Sequence, residues 1–190
     1  MQRNLLWTGR EYESLENCLI NMGETGAEIT STIIGRYEEK IYQVHYRIQT
    51  NPDWETVWLE IESRHSNRPQ KIRLEGDGTG HWRLNGQPAA EFSGCIDVDI
   101  PLTPLTNTLP IRRLRLAQNQ SAEIRVIYCD LLADSIKPVH QRYTRRSETD
   151  YHYENVPNDF EATIQVDELG LVVDYPSLFV RTAVLSTSYR

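Results

Sequence analysis

From Tyr42 onward the chain alternates apolar and polar residues with a period of two, repeatedly and at short spacing, and a half-buried β-strand is the element that turns successive side chains to opposite faces in that rhythm. Tyr42, Val44, Tyr46 and Ile48 share one face, with Gln43, His45 and Arg47 on the other. The pattern returns at Val57, Leu59 and Ile61, at Ile72 and Leu74, at Trp82 and Leu84, and at Ile96, Val98 and Ile100. Turn-forming residues separate these runs: Asn51-Pro52-Asp53, Ser66-Asn67-Arg68-Pro69, Gly76-Asp77-Gly78-Thr79-Gly80 and Asn85-Gly86. Asp77-Gly78 and Asn85-Gly86 are strong hairpin signals, so the first half reads as an antiparallel meander.

Pro101, Pro104 and Pro110 then remove ladder donors and forbid a central strand. The best helical stretch in the chain is Thr106 to Arg113, which Thr106 or Asn107 can cap, and Pro110 limits the expectation to one turn. Alternation resumes at Leu114 and Leu116, at Ile124, Val126 and Tyr128, and at Phe160, Ala162, Ile164 and Val166. Two further strands flank Tyr175-Pro176, at Leu171–Val173 and Phe179–Val184. The expectation is one mostly β domain over residues 1–190, with about twelve or more antiparallel strands; a sheet of that size curls or closes.

Charge limits the partners. The formal net charge of −7 has the wrong sign for a protein that coats nucleic acid or an anionic bilayer, so no nucleic-acid partner is expected. The longest uncharged stretches are broken by Asp97, Asp99 and prolines, which rules out a membrane helix. Cys18, Cys95 and Cys129 are odd in number and lack metal-binding spacing, so they read as buried free thiols. With no apolar leader read after Met1, the reducing cytoplasm is the expected compartment.

Arg112-Arg113-Leu114-Arg115 is the strongest local anomaly: on a strand, Arg113 and Arg115 form a fork suited to phosphate, sulfate or carboxylate, and Arg112 points away. A solvated edge strand explains the same residues. A second basic cluster, Arg142 and Arg145-Arg146, lies beside Tyr143, Tyr151, His152 and Tyr153. Among His45, His65, His81, His140 and His152 no pair has metal-ligand spacing, and neither a metal nor a cofactor is expected. Asp97 and Asp99 share a strand face about 7 Å apart, which allows acid–base chemistry; a polar outer face is the simpler reading. No nucleophile elbow or phosphate loop occurs. Ten tyrosines and four tryptophans against three phenylalanines favour amphipathic rings, which suit the wall of a pocket for an amphiphile or a sugar.

Taken together, Leu74 to Trp82, Gly94 to Asp99, Thr106-Asn-Thr-Leu-Pro-Ile-Arg-Arg-Leu114, Gln141-Arg-Tyr143, Tyr151-x-Tyr153, Val166-Asp167, Gly170 to Val172 and Tyr175-Pro176 resemble the bacterial family named "Putative glycolipid-binding", long catalogued as a domain of unknown function. The resemblance runs from about Trp7 to Arg181, and the segment from Thr106 to Leu114 is its most specific element. It implies a spiral β-roll, an incomplete barrel similar in shape to lipoprotein carriers that hold acyl chains, and it carries no catalytic residues. The expected function is therefore non-catalytic binding of a glycolipid or similar amphiphile. Arg112 and Arg113 are expected to orient the head, with Asn107, Trp82, Tyr143, Tyr151 and Tyr153 as further ligand-binding candidates. The alternative is a hydrolase using Asp97 with Asp99, or His140 with His152. An open sheet edge leaves room for a homodimer.

Overall fold

The computed structural model describes residues 1–65 and 68–187, so Ser66 and Asn67 of one expected turn lie outside the described residues. Strands β1 (Gln2–Gly9), β2 (Ser14–Gly23), β3 (Gly26–Tyr37), β4 (Lys40–Thr50), β5 (Thr56–His65), β6 (Arg68–Gly76), β7 (Trp82–Leu84) and β8 (Gln87–Pro88) form the first meander. A 3-10 turn at Ala90–Phe92 leads to β9 (Asp97–Asp99) and helix α1 (Leu105–Leu114). The second meander comprises β10 (Ser121–Asp130), β11 (Ser135–Arg145), β12 (Asp150–Val156), β13 (Glu161–Val166), β14 (Val172–Tyr175) and β15 (Phe179–Thr187).

All belong to one 15-stranded sheet ordered β8-β7-β6-β5-β4-β3-β2-β1-β15-β14-β13-β12-β11-β10-β9. The first and last strands pair antiparallel at its middle, so each half of the chain winds outward to one edge. The two edge strands are joined by residues 89–96 alone, a span of roughly 30 Å even when fully extended, so the sheet must come round on itself. Arg125 on β10 holds the joining stretch by donating to the carbonyl of Ser93 and, at 2.9 Å, to that of Glu91. The result is a rolled sheet that is not closed into a barrel.

Fifteen strands agree with the expectation of about twelve or more, with β1 to β3 among those the alternation did not single out. Two features depart from the sequence expectation. β9 pairs with β10 in parallel, a geometry that needs a long crossover, and α1 supplies it. The helix itself runs ten residues instead of one turn, and Leu114 ends it rather than opening a strand. Pro110 does remove the amide that bonds the Thr106 carbonyl. Burial outweighs that loss: every residue from Leu105 to Ile111 is buried, because α1 threads the interior of the roll. The Thr103 hydroxyl accepts from the Leu105 amide at 3.0 Å, and Arg115 ends the helix in a left-handed conformation with φ 46°. Arg113 and Arg115 therefore never form the expected fork on a strand.

Inward-facing residues make two cores. The larger draws on β1 to β7, on Val98 of β9, Ile127 and Cys129 of β10 and Leu105 and Leu109 of α1, and is built from Ile20, Ile29, Ile33, Ile48, Leu59, Ile61 and Leu74 around Trp7. The smaller joins Ile111 to Tyr143, Tyr151, Tyr153, Tyr175 and Phe179. Trp7 links the halves, its indole N–H donating to the Val172 carbonyl at 2.9 Å. As expected, Asn85-Gly86 makes a hairpin turn with both residues at positive φ, 50° and 81°. The Asp77 carboxylate closes its own turn on the amides of Thr79 at 2.7 Å and His81 at 3.1 Å.

Candidate functional site

The second meander leaves a cavity of about 510 Å³ between α1, β9 to β12, β14 and the start of β15, within the range of small-molecule sites. Its wall is aromatic. Tyr153, Phe160 and Tyr175 form a triangle with ring centroids 6.1 to 6.3 Å apart. Phe179 extends it, 6.3 Å from Tyr175 and 5.8 Å from Tyr12, which reaches over from the turn after β1. Tyr153 and Tyr175 face inward because strand alternation puts them on the same side as the core, and Phe160, 37% exposed, stands at the rim.

Hydrogen-bonding groups stand among the rings. Asp99, at the end of β9, accepts from Gln141 Nε2 at 2.7 Å and from the Thr106 hydroxyl at 2.9 Å, both neutral donors. Burial pushes its carboxyl above the usual range, against the pull of those two bonds. Asn107 of α1 accepts from the Tyr143 hydroxyl at 2.9 Å. The Tyr153 hydroxyl donates to Asn155 at 2.6 Å, and Asn155 donates to Asp159 at 2.7 Å, a relay running from the wall to the exposed rim. Burial chiefly, and the charge of Asp99 among the further causes, raises the hydroxyl pKa of Tyr128, Tyr143, Tyr153 and Tyr175. The phenols therefore stay protonated as donors at neutral pH.

Residues 4–181 match the model of the family described as "Putative glycolipid-binding". The chain belongs to this family. A crystal structure of a DUF1089-family protein from Pseudomonas aeruginosa is 37% identical, with a TM-score of 0.78 over 87% of this chain and 91% of that one. A β-barrel-like protein with the domain of unknown function DUF1849, from Brucella abortus, shares the fold at 8% identity, with a TM-score of 0.55 over 96% of both chains. Among curated proteins none matches the chain.

The most specific segment of the family resemblance, Thr106 to Leu114, is the interior helix, so this chain spends that motif on plugging the roll and lines the cavity with its Asn107. Of the candidates read from sequence, Asn107 and Tyr153 line the cavity, and Tyr143 supports both through its hydrogen bond and a ring contact of 5.3 Å with Tyr153. Tyr151 belongs to the same core without reaching the lining. Trp82 lies in the other half, buried, with its N–H on the Cys95 carbonyl at 2.7 Å. Arg112 and Arg113 do not line the cavity. Arg113 grips the buried Asp97, Nη2 to Oδ2 at 2.6 Å, and Arg112 stacks 4.1 Å above Trp54 while donating to the Leu169 carbonyl. Arg145, from the second basic cluster, donates to the Leu116 carbonyl at 3.0 Å.

Neither acid–base pair is assembled. Asp97 and Asp99 point inward rather than forming a polar outer face, and of the two only Asp99 lines the cavity. Of the two histidines only His140 does so, and it pairs with Glu123 at 3.2 Å. His152 joins Glu154 and Glu161 instead, a trio whose ligand atoms lie within 4.8 Å of one another and which could hold a metal. Arg142 and Asn158 already contact those carboxylates. Sequence reading missed Tyr128, Tyr175, Phe160 and Asp159 as wall and rim. The available signal was that tyrosine recurs at inward positions of the second half, Tyr143, Tyr151, Tyr153 and Tyr175, more often than in the first, where Tyr42 and Tyr46 sit among isoleucine, valine and leucine.

Proposed function

We propose that the protein binds an amphiphile of glycolipid type in this cavity and performs no chemistry on it. The observation that carries the reading is the cavity wall: aromatic faces interleaved with protonated phenols, Asn107 and Asp99, the mixture that a sugar ring with an attached apolar chain matches. Family membership supports the same reading. At ~30 Å³ for each water-sized group, 510 Å³ houses on the order of 15–20 non-hydrogen atoms, a sugar ring with the first stretch of its chain. Affinity should therefore rise with chain length and then level off. Calorimetry with alkyl glucosides tests this, each added methylene inside the cavity contributing about 0.8 kcal/mol, close to fourfold in Kd. A Kd independent of chain length from the shortest member would refute the amphiphile reading.

Asp99 and His140 line the same cavity, which favours one second reading, a hydrolase of the sugar head with these two as acid and base. Release of sugar from alkyl glucosides, abolished in Asp99→Asn with folding intact, is its signature. The three buried free thiols, Cys18, Cys95 and Cys129, accord with a reducing compartment, and the proposed setting is the cytoplasm.

A further inference from the structure

We infer that the cavity selects its ligand by charge, accepting an amine-bearing or uncharged polyhydroxy head and rejecting phosphate, sulfate and carboxylate heads, with Asp99 as the determining residue. This rests on the amphiphile reading above and names the class of head it takes.

Two neighbouring aspartates show the difference. Asp97 is buried and the chain sets a guanidinium on it, with Arg113 Nη2 at 2.6 Å and Nε at 3.2 Å from both oxygens. Asp99, two residues on and lining the cavity, receives no cation among the described residues: its partners there are an amide and a hydroxyl, one on each oxygen. A carboxylate offers about four acceptor positions, so roughly half of the capacity of Asp99 is left. An ammonium or a sugar hydroxyl can use it, whereas an anionic oxygen has no proton to give and meets like charge.

The rest of the lining carries charge of both signs at its rim, so Asp99 is the charge set deepest among the rings. Glu11 and Asp159 stand at the exposed rim, opposed by Lys137 and His140, and His140 is already beside Glu123. The arginines able to fork an anion are engaged elsewhere, Arg113 on Asp97 and Arg112 on Trp54 and the Leu169 carbonyl. The triangle of Tyr153, Phe160 and Tyr175 offers π-faces that attract a cation and repel an anion.

The test holds the chain constant and changes the head: decyl glucoside, decyl trimethylammonium and decyl sulfate, below their micelle concentrations, in 0.15 M salt, where screening over about 8 Å damps the overall charge of −7. The glucoside and the ammonium should each bind at least tenfold more tightly than the sulfate. Asp99→Asn should narrow the gap between ammonium and sulfate severalfold, and Asp159→Asn, at an exposed position, should narrow it less while leaving the fold undisturbed. Sulfate binding as tight as glucoside binding in the wild-type protein overturns the charge selection and leaves the amphiphile reading standing. Binding of none of the three overturns that reading and this inference with it.

Discussion

The two meanders obey the same alternation and differ in what they place on the inner face. In β1 to β7 the inward positions are mostly isoleucine, valine, leucine and tryptophan, which interdigitate into a solid core. In β10 to β15 tyrosine takes many of them, and a phenol must find a partner for its hydroxyl. That requirement keeps polar groups and open space beside the rings, and the cavity forms there. Backbone pattern sets the roll, and the choice between an aliphatic and a phenolic inner face decides which half is filled and which can receive a ligand.

The strongest way to break the comparison is at the joint between the halves. Arg113→Ala leaves Asp97 charged and buried without its partner, and should lower stability by about 3–5 kcal/mol in urea denaturation. Pairing Arg113→Met with Asp97→Asn should restore much of that loss, which distinguishes a structural ion pair from a ligand-binding arginine. Next in size, Leu59→Ala in the solid half should cost about 2–5 kcal/mol while leaving the Kd for an alkyl glucoside unchanged in the folded fraction. An altered Kd would show that the filled half shapes the cavity.

Glu16 gives a subtler contrast. It lies buried in β2 with one oxygen accepting from Tyr46 at 2.6 Å, Ser31 at 2.7 Å and Thr103 at 2.9 Å, while the other oxygen has no partner among the described residues. Burial pushes its carboxyl up to about 7 despite those bonds. A raised pKa means that the folded protein holds the proton longer than the unfolded chain, so stability is full below about pH 4.5 and falls as pH rises towards 7. Glu16→Gln, which cannot ionise, should flatten that slope and gain on the order of 2–3 kcal/mol over the wild-type protein at pH 8. Thermal melts from pH 4 to pH 8 provide the check, and parallel curves would contradict it. The smallest effect is expected at Tyr143→Phe, where losing the bond to Asn107 should cost about 1 kcal/mol and weaken glucoside binding severalfold.

Much of this fold was legible because alternation survives wherever the inner face is apolar. It failed at β2, where Glu16 faces in and Leu15 faces out with 44% exposure, the reverse of the usual phase. Helix α1 was under-read for a related reason: Pro110 argues locally against a helix, and only burial on every side overrides it. At the site, Asn107, Tyr143 and Tyr153 were visible in the family-like motifs. The placement of Arg112 and Arg113 away from this cavity was not legible, because charge clustered in sequence says nothing of the buried Asp97 or of Trp54 beside them.

The most direct test of the account is a crystal structure of the protein with an alkyl glucoside carrying bromine at its chain end, located by anomalous scattering. The account predicts one bromine per chain inside the aromatic wall of Tyr153, Phe160 and Tyr175, with the sugar towards Asp99 and Asn107. A bromine bound elsewhere on the roll, with this cavity holding only water, would contradict it.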